Sequence, residues 1–321
     1  MIKASSFRPA WWLPGAHAQT IWPGITKRRL DINLSWERLE LPDHDFVDLA
    51  WTPETDGPTV IVLHGLEGSL NSHYVKGILS ALHNKGWRAV IMHFRGCSGT
   101  HNRLARGYHS GETGDLEYLI KLLRSRHPQK QLAATGYSLG GNVLLKYLGE
   151  HSDTSGLAAA VAVSVPFVLS KAADRLMQGP SRIYQRYLLR RIQRRIIDKF
   201  KDRNDAPFSI TDIPTWNNFH LFDNFVTAPL HGFSSSDEYY RLSSSRQFIK
   251  SINTPTLIIH AENDPFLTRD AIPNESEISE NVTLELSRAG GHAGFVSGKA
   301  PWRPHYWLEE RIPEFLSNYL T

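Results

Sequence analysis

Along most of the chain the apolar positions switch between strand-like and helix-like spacing. Trp36–Leu41 and Phe46–Thr52 flank Pro42-Asp43-His44-Asp45, a turn composition that predicts an antiparallel hairpin. Thr59–Leu63 (TVIVL) is an unbroken apolar run, the pattern of a strand buried on both faces of a parallel sheet. Asn71–Asn84 places Tyr74, Ile78, Leu79, Ala81 and Leu82 at helical spacing, and Gly86 follows its end. The alternation continues through a strand at Arg88–Phe94, a helix at Leu116–Arg126, a strand at Gln131–Tyr137, a helix at Leu139–Gly149 and a strand at Leu157–Val165. This repeat predicts an α/β fold with a mostly parallel, doubly wound sheet. Residues 167–250 break it, with helical stretches rich in Arg, Tyr and Ser and no strand-like run. The pattern then resumes with Thr256–His260, Val282–Leu286 and a last helix near Pro304–Leu320. A helical excursion of this length between sheet strands predicts an inserted cap, not a loop. The expected organisation is one domain over 1–321, with an N-terminal extension (1–34), a core (35–166 and 251–321) and a helical cap (167–250).

Composition narrows the class. The 321 residues carry 36 Lys plus Arg against 32 Asp plus Glu, a net charge of +4, too mild to mark a dedicated nucleic-acid binder. The single cysteine, Cys97, excludes an intramolecular disulfide framework and any Cys-rich metal site. Residues 1–30 lack the apolar core of an export signal. The longest apolar run, Leu157–Leu169, is interrupted by Ser164 and Pro166 and is shorter than the ~20 residues a spanning helix needs. The expectation is a soluble, cytoplasmic protein.

Candidate chemistry sits where strands end. Gly136-Tyr137-Ser138-Leu139-Gly140 lies between a strand and a helix, the setting in which a tight turn projects a serine hydroxyl from the carboxyl edge of a sheet. Such a nucleophile needs a base and an acid that orients it. Asp264 follows the TLIIH strand, and His292 follows the Val282–Leu286 strand within Gly290-Gly291-His292-Ala293-Gly294. Glu262 and Asp270 are the nearby rivals of Asp264, and most of the 15 histidines must be bystanders. Acyl transfer also requires two backbone N–H groups aimed at the developing oxyanion. Leu139 is one candidate; Leu66, in His64-Gly65-Leu66-Glu67-Gly68, is the second, with Glu67 as its fallback. Cys97 ends a strand but has no matching base. His260, Glu262 and Asp264 form a conceivable metal cluster, yet a triad accounts for Asp264 more economically. Neither a zincin nor a Walker motif occurs, and no cofactor is called for.

These motifs resemble the α/β-hydrolase superfamily, whose triad runs Ser, Asp, His along the chain. Within it they are similar to the YheT-like esterase group, relatives of the abhydrolase-domain lipases. The resemblance covers most of the chain: Phe7-Arg-Pro-Ala-Trp-Trp-Leu-Pro-Gly-Ala-His17-Ala-Gln19-Thr20, the His64 and Ser138 motifs, Phe94-Arg-Gly, His109-Ser-Gly-Glu-Thr-Gly-Asp115, Thr227-Ala-Pro-Leu-His-Gly-Phe233, Asn263-Asp264-Pro and the His292 motif. It implies carboxylic-ester hydrolysis by Ser138, His292 and Asp264 on a small or lipid-like ester. An alcohol acyltransferase with the same triad and a non-catalytic ligand-binding scaffold are the alternatives.

One segment stands apart. Residues 181–203 hold nine basic residues against Asp198 and Asp202, so the rest of the chain is slightly acidic. Tyr184, Leu188, Ile192, Ile196 and Phe200 recur every four residues, with Ile183, Tyr187 and Leu189 widening the stripe. This predicts a basic amphipathic cap helix, either packed over the site or touching an anionic membrane. A nucleic-acid partner would rest on this helix alone and is not expected.

Overall fold

The computed structural model describes residues 1–26 and 30–321. Strand β1 (Ile2–Ala4) and helix α1 (Gly15–Ile25) open the chain, followed by the hairpin β2 (Ser35–Glu40) and β3 (Phe46–Trp51). Then β4 (Thr59–Leu63), α2 (His73–Asn84), β5 (Arg88–Met92), α3 (Gly114–Arg126), β6 (Leu132–Tyr137), α4 (Leu139–His151) and β7 (Ala159–Val163) alternate as the apolar pattern predicts. Between β7 and the next strand come α5 (Leu169–Leu176), α6 (Arg182–Phe200), α7 (Phe219–Phe222), α8 (Ala228–His231) and α9 (Ser236–Ser243). The chain closes with β8 (Thr256–Ala261), β9 (Val282–Ser287), β10 (Val296–Ala300), β11 (Arg303–Tyr306) and α10 (Leu308–Leu316).

The main sheet has the order β1-β9-β8-β7-β6-β4-β5-β3-β2. It is parallel from β1 through to β5, and β3 and β2 add antiparallel at the edge. Because strand side chains alternate between faces, one run such as TVIVL feeds two cores. Ile61 and Leu63 pack with α3 and α4 on one face. Val60 and Val62 pack with α2 and α10 on the other. The winding reverses between β4 and β6, which pair directly, and the carboxyl edge at such a switch point is where α/β sheets bind ligands.

Three features depart from the sequence reading. β1 pairs parallel with β9, Ile2 opposite Leu284, so the first residues of the expected extension belong to the sheet. Arg303–Tyr306, read as the start of the last helix, instead pairs antiparallel with Val296–Ala300. The rotation of α6 also differs. Leu189, Ile192, Ile196 and Phe200 are buried, but Ile183 and Tyr187 are 70% and 58% exposed. Lys199 is buried in their stead, its Nζ donating to Asn102 Oδ1 (2.7 Å) and to the carbonyls of Ala105 and Arg106 (both 3.0 Å). Those oxygens compensate the desolvated charge. Residues 167–250 build a third apolar cluster, in which Leu169 and Leu176 pack with Leu189, Ile192 and Tyr240 beside Leu66 and Phe266. Among the described residues no helix is long and apolar enough to cross a membrane.

Candidate active site

β6 ends at Tyr137 and α4 begins at Leu139, so Ser138 alone makes the turn. Its backbone lies at φ 53°, ψ −120°, a region that costs a residue with a Cβ about 1–3 kcal/mol. Close backbone approach explains the flanking glycines. A Cβ on Gly136 would lie 2.4 Å from the Gly140 carbonyl oxygen, and one on Gly140 would lie 2.5 Å from that of His64. The elbow is fixed to β7 by the Ser138 N–H, which donates to the Val163 carbonyl (2.8 Å).

Asp264 and His292 leave the carboxyl ends of β8 and β9 and reach the same point. His292 Nε2 lies 2.9 Å from Ser138 Oγ, and His292 Nδ1 lies 2.8 Å from Asp264 Oδ2. A carboxylate can only accept, so Nδ1 carries the proton and Nε2 is left to accept from the serine hydroxyl. Asp264 Oδ1 accepts from the Phe266 N–H (2.8 Å), and the Phe266 ring stacks on the imidazole with centroids 3.9 Å apart. The rivals lie elsewhere: Glu262 pairs with Arg269, and Asp270 with Lys171. The His292 loop is also held by residues the sequence reading did not single out for the site. The His292 N–H donates to Thr20 Oγ1 of α1 (2.9 Å), and the Gly291 N–H to Asn263 Oδ1 (3.1 Å). Thr20 lies within the N-terminal motif, the one signal that could have pointed to it.

Leu63 sits opposite Gly136 in the β4–β6 register, so the His64-Gly65-Leu66 turn leaves the sheet beside Ser138. Burial lowers the His64 imidazole to about 3, which leaves it neutral. Its Nε2 accepts from the Phe94 N–H (3.1 Å) and its Nδ1 donates to the Gly65 carbonyl (2.7 Å), so it staples the turn. Among the described residues neither the Leu66 nor the Leu139 N–H has a protein acceptor. The Glu67 N–H, the fallback, is committed to Tyr108 Oη at 2.8 Å. Glu67 itself sits at φ 53°. Its carboxylate accepts from Tyr108 Oη and Arg195 Nε (both 2.9 Å), and its carbonyl from Arg191 Nη2 (2.8 Å). Two arginines of α6 therefore hold the turn next to Ser138, a link that sequence spacing does not reveal.

Other candidates separate from this point. Burial pushes the Cys97 thiol up to about 12, the opposite of what a thiolate nucleophile needs. His260 is buried against Phe167 (ring centroids 5.3 Å), lowered to about 4 by desolvation. Among the described residues no three His, Cys, Asp or Glu side chains converge as a metal site would require.

Ser138 and His292 open onto a cavity of about 110 Å³ roofed by Leu169, Ala173, Leu188 and Ile192. Its lining also includes Asp223, whose carboxylate accepts from Thr227 Oγ1 (2.6 Å) and Tyr240 Oη (2.7 Å) and is raised by burial to about 6.

A family model described as the alpha/beta hydrolase fold matches residues 58–299. The chain is 40% identical over 323 residues to YheT of Escherichia coli, a protein named as an esterase, covering 99% of this chain and 95% of that one. It is 32% identical over 270 residues to a monoacylglycerol lipase of Saccharomyces cerevisiae, covering 82% of this chain and 59% of that protein. In fold it resembles the esterase Pf2001 of Pyrococcus furiosus, with a TM-score of 0.61 at 18% identity over 99% of this chain and 100% of that one. The chain belongs to the α/β-hydrolase family, in its YheT-like group of esterase- and lipase-type hydrolases.

Proposed function

We propose that the protein hydrolyses carboxylic esters through an acyl-enzyme formed on Ser138. The observation that carries this reading is the unbroken hydrogen-bonded chain Ser138–His292–Asp264 at the mouth of an apolar cavity. Ser138 Oγ attacks the ester carbonyl while His292 Nε2 takes its proton, and Asp264 holds the Nδ1–H tautomer and stabilises the imidazolium. The Leu66 and Leu139 N–H groups receive the oxyanion; one such donor is typically worth about 2.7–4 kcal/mol in the transition state. The imidazolium then protonates the departing alkoxide, and a water activated by the same base releases the acid. The names of the relatives, an esterase and a monoacylglycerol lipase, support the substrate class. Residues 167–250 serve as the cap under which the acyl group lies, against Leu169, Ala173 and Ile192.

The test is Ser138→Ala. It abolishes labelling by a fluorophosphonate probe and lowers turnover of p-nitrophenyl esters by about 10⁶-fold, the scale of removing a serine nucleophile. Labelling that persists in the variant removes Ser138 as the nucleophile.

A further inference from the structure

The outward face of α6 carries a charge pattern that its own helix does not favour. Arg182, Arg186, Arg190 and Arg194 follow one another at four-residue spacing, and all four are exposed. Like charges at this spacing repel, and positive charge near a helix N-terminus opposes the helix dipole. The first turn of α6 has no acidic residue, and among the described residues none of these four guanidinium groups has a carboxylate within 4.0 Å. On the inward side, by contrast, Arg195 pairs with Glu67, and Lys199 donates to Asn102 and two backbone carbonyls. Among the described residues the row therefore gains no ion pair that would offset this repulsion.

Set among these arginines are Ile183 and Tyr187, exposed at 70% and 58%, and together with Arg191 the two sets line one shallow trough. On the opposite side of the same helix, Leu188 and Ile192 line the cavity above Ser138. We infer that this face of α6 docks on an anionic lipid bilayer, with Ile183 and Tyr187 entering the headgroup–acyl boundary and the arginine row pairing with lipid phosphates. The mixture selects the occupant. A nucleic-acid backbone would satisfy the arginines but offer Ile183 and the Tyr187 ring no apolar environment, and an acidic protein would have to add an apolar pocket to its charge, whereas an anionic bilayer meets both at once. A protein docked this way lies with its cavity roof next to the bilayer. The inference does not depend on the chemistry at Ser138.

The experiment is vesicle flotation of the Ser138→Ala protein, so that docking is read without turnover. Phosphatidylcholine vesicles are compared with phosphatidylcholine–phosphatidylglycerol vesicles at low and high salt. The protein floats with the anionic vesicles only, and high salt weakens recovery. At roughly fivefold per arginine near an anionic surface, Arg186→Gln/Arg190→Gln weakens the partition about 25-fold. Ile183→Ser/Tyr187→Ser weakens it as well, at unchanged charge. Both pairs are surface residues, and an unchanged circular-dichroism spectrum and unfolding midpoint verify the fold. Equal recovery with both vesicle types overturns the inference, as does full binding by the arginine variant. Loss on the arginine substitutions with no effect of the apolar ones also overturns it, and points to a soluble acidic partner.

Discussion

Arg195→Met tests whether α6 sets the geometry beside the nucleophile. The Arg195 and Glu67 side chains are 12% and 6% exposed and meet at 2.9 Å, so neither charge is well screened by water. Removing one partner of such a buried pair costs about 3–5 kcal/mol, because the other charge stays buried without compensation. Tyr108 Oη still donates to the Glu67 carboxylate, which places the expected loss at the low end, about 3 kcal/mol. Glu67→Gln in the same chain removes the stranded charge, so the double variant recovers at least half of that loss. The kinetic consequence follows from the strain at Glu67, whose φ of 53° stores about 1–3 kcal/mol. With one of its two arginine anchors gone, the turn relaxes about the remaining Arg191 contact and carries the Leu66 N–H away from Ser138. The fall in kcat is bounded by the loss of one oxyanion donor, about 10²–10³-fold, with KM little changed. Urea unfolding and steady-state hydrolysis of a chromogenic ester read the two effects. A stability loss under about 1 kcal/mol, a double variant no better than the single, or an effect confined to KM would each refute the reasoning.

Three further outcomes follow. Asp223 is raised by burial from its ordinary 3.8 to about 6, a gap corresponding to about 3 kcal/mol. Its contribution to stability is therefore full below about pH 4 and is lost as pH rises through 6; urea unfolding from pH 4 to 7 shows a decline for the native chain that Asp223→Asn lacks, and parallel curves would exclude it. Ser138→Gly is more stable than Ser138→Ala by about 1 kcal/mol, since glycine adopts φ 53° without a Cβ clash; thermal unfolding of the two inactive proteins decides, and equal midpoints remove the strain. Ile192→Ala costs about 2–5 kcal/mol and enlarges the cavity roof, so the preferred p-nitrophenyl ester shifts to a longer acyl chain; an unshifted optimum would move the acyl group out from under α6.

Much of the architecture was legible because it rests on local pattern. The run Val60–Leu63 has no polar position and so must be covered on both faces, the mark of a parallel sheet. Ser138, Asp264 and His292 each follow their own strand, and a parallel sheet gathers such positions at one edge. The missed elements lack that signal. Helix α1 buries only Gln19 and Pro23 and contains Pro23 within it, so no apolar stripe announces it. β1 is three residues long and needs β9, far along the chain, to exist. Pro304 reads as a helix start, yet its neighbours pair with β10. The rotation of α6 is set by polar partners more than ninety residues distant, Glu67 and Asn102, which a four-residue apolar repeat cannot encode.

The sequence motifs around the candidate site, beyond Ser138, Asp264 and His292, acquire a physical role from their contacts. Arg95 binds Asp115 through two hydrogen bonds (2.6 and 2.8 Å) and also reaches Asp43 and Asp45, joining the β2–β3 turn to the start of α3. Asn142, one turn into α4, donates to the carbonyls of Ser110 and Ser243 and accepts from the Ser245 N–H, so it ties the helix behind Ser138 to the end of α9. On the other side, α1 lies so close to the His292 loop that a Cβ on Gly291 would sit 2.4 Å from the Ala16 carbonyl oxygen. The sheet fixes the serine elbow and sets where the other two loops leave it. The turn bearing Leu66 is held by α6, and the loop bearing His292 by α1, two helices outside the sheet. The proposed reaction needs close placement of base and oxyanion donors, and so it depends on contacts from α1, near the start of the chain, and from α6, in its middle.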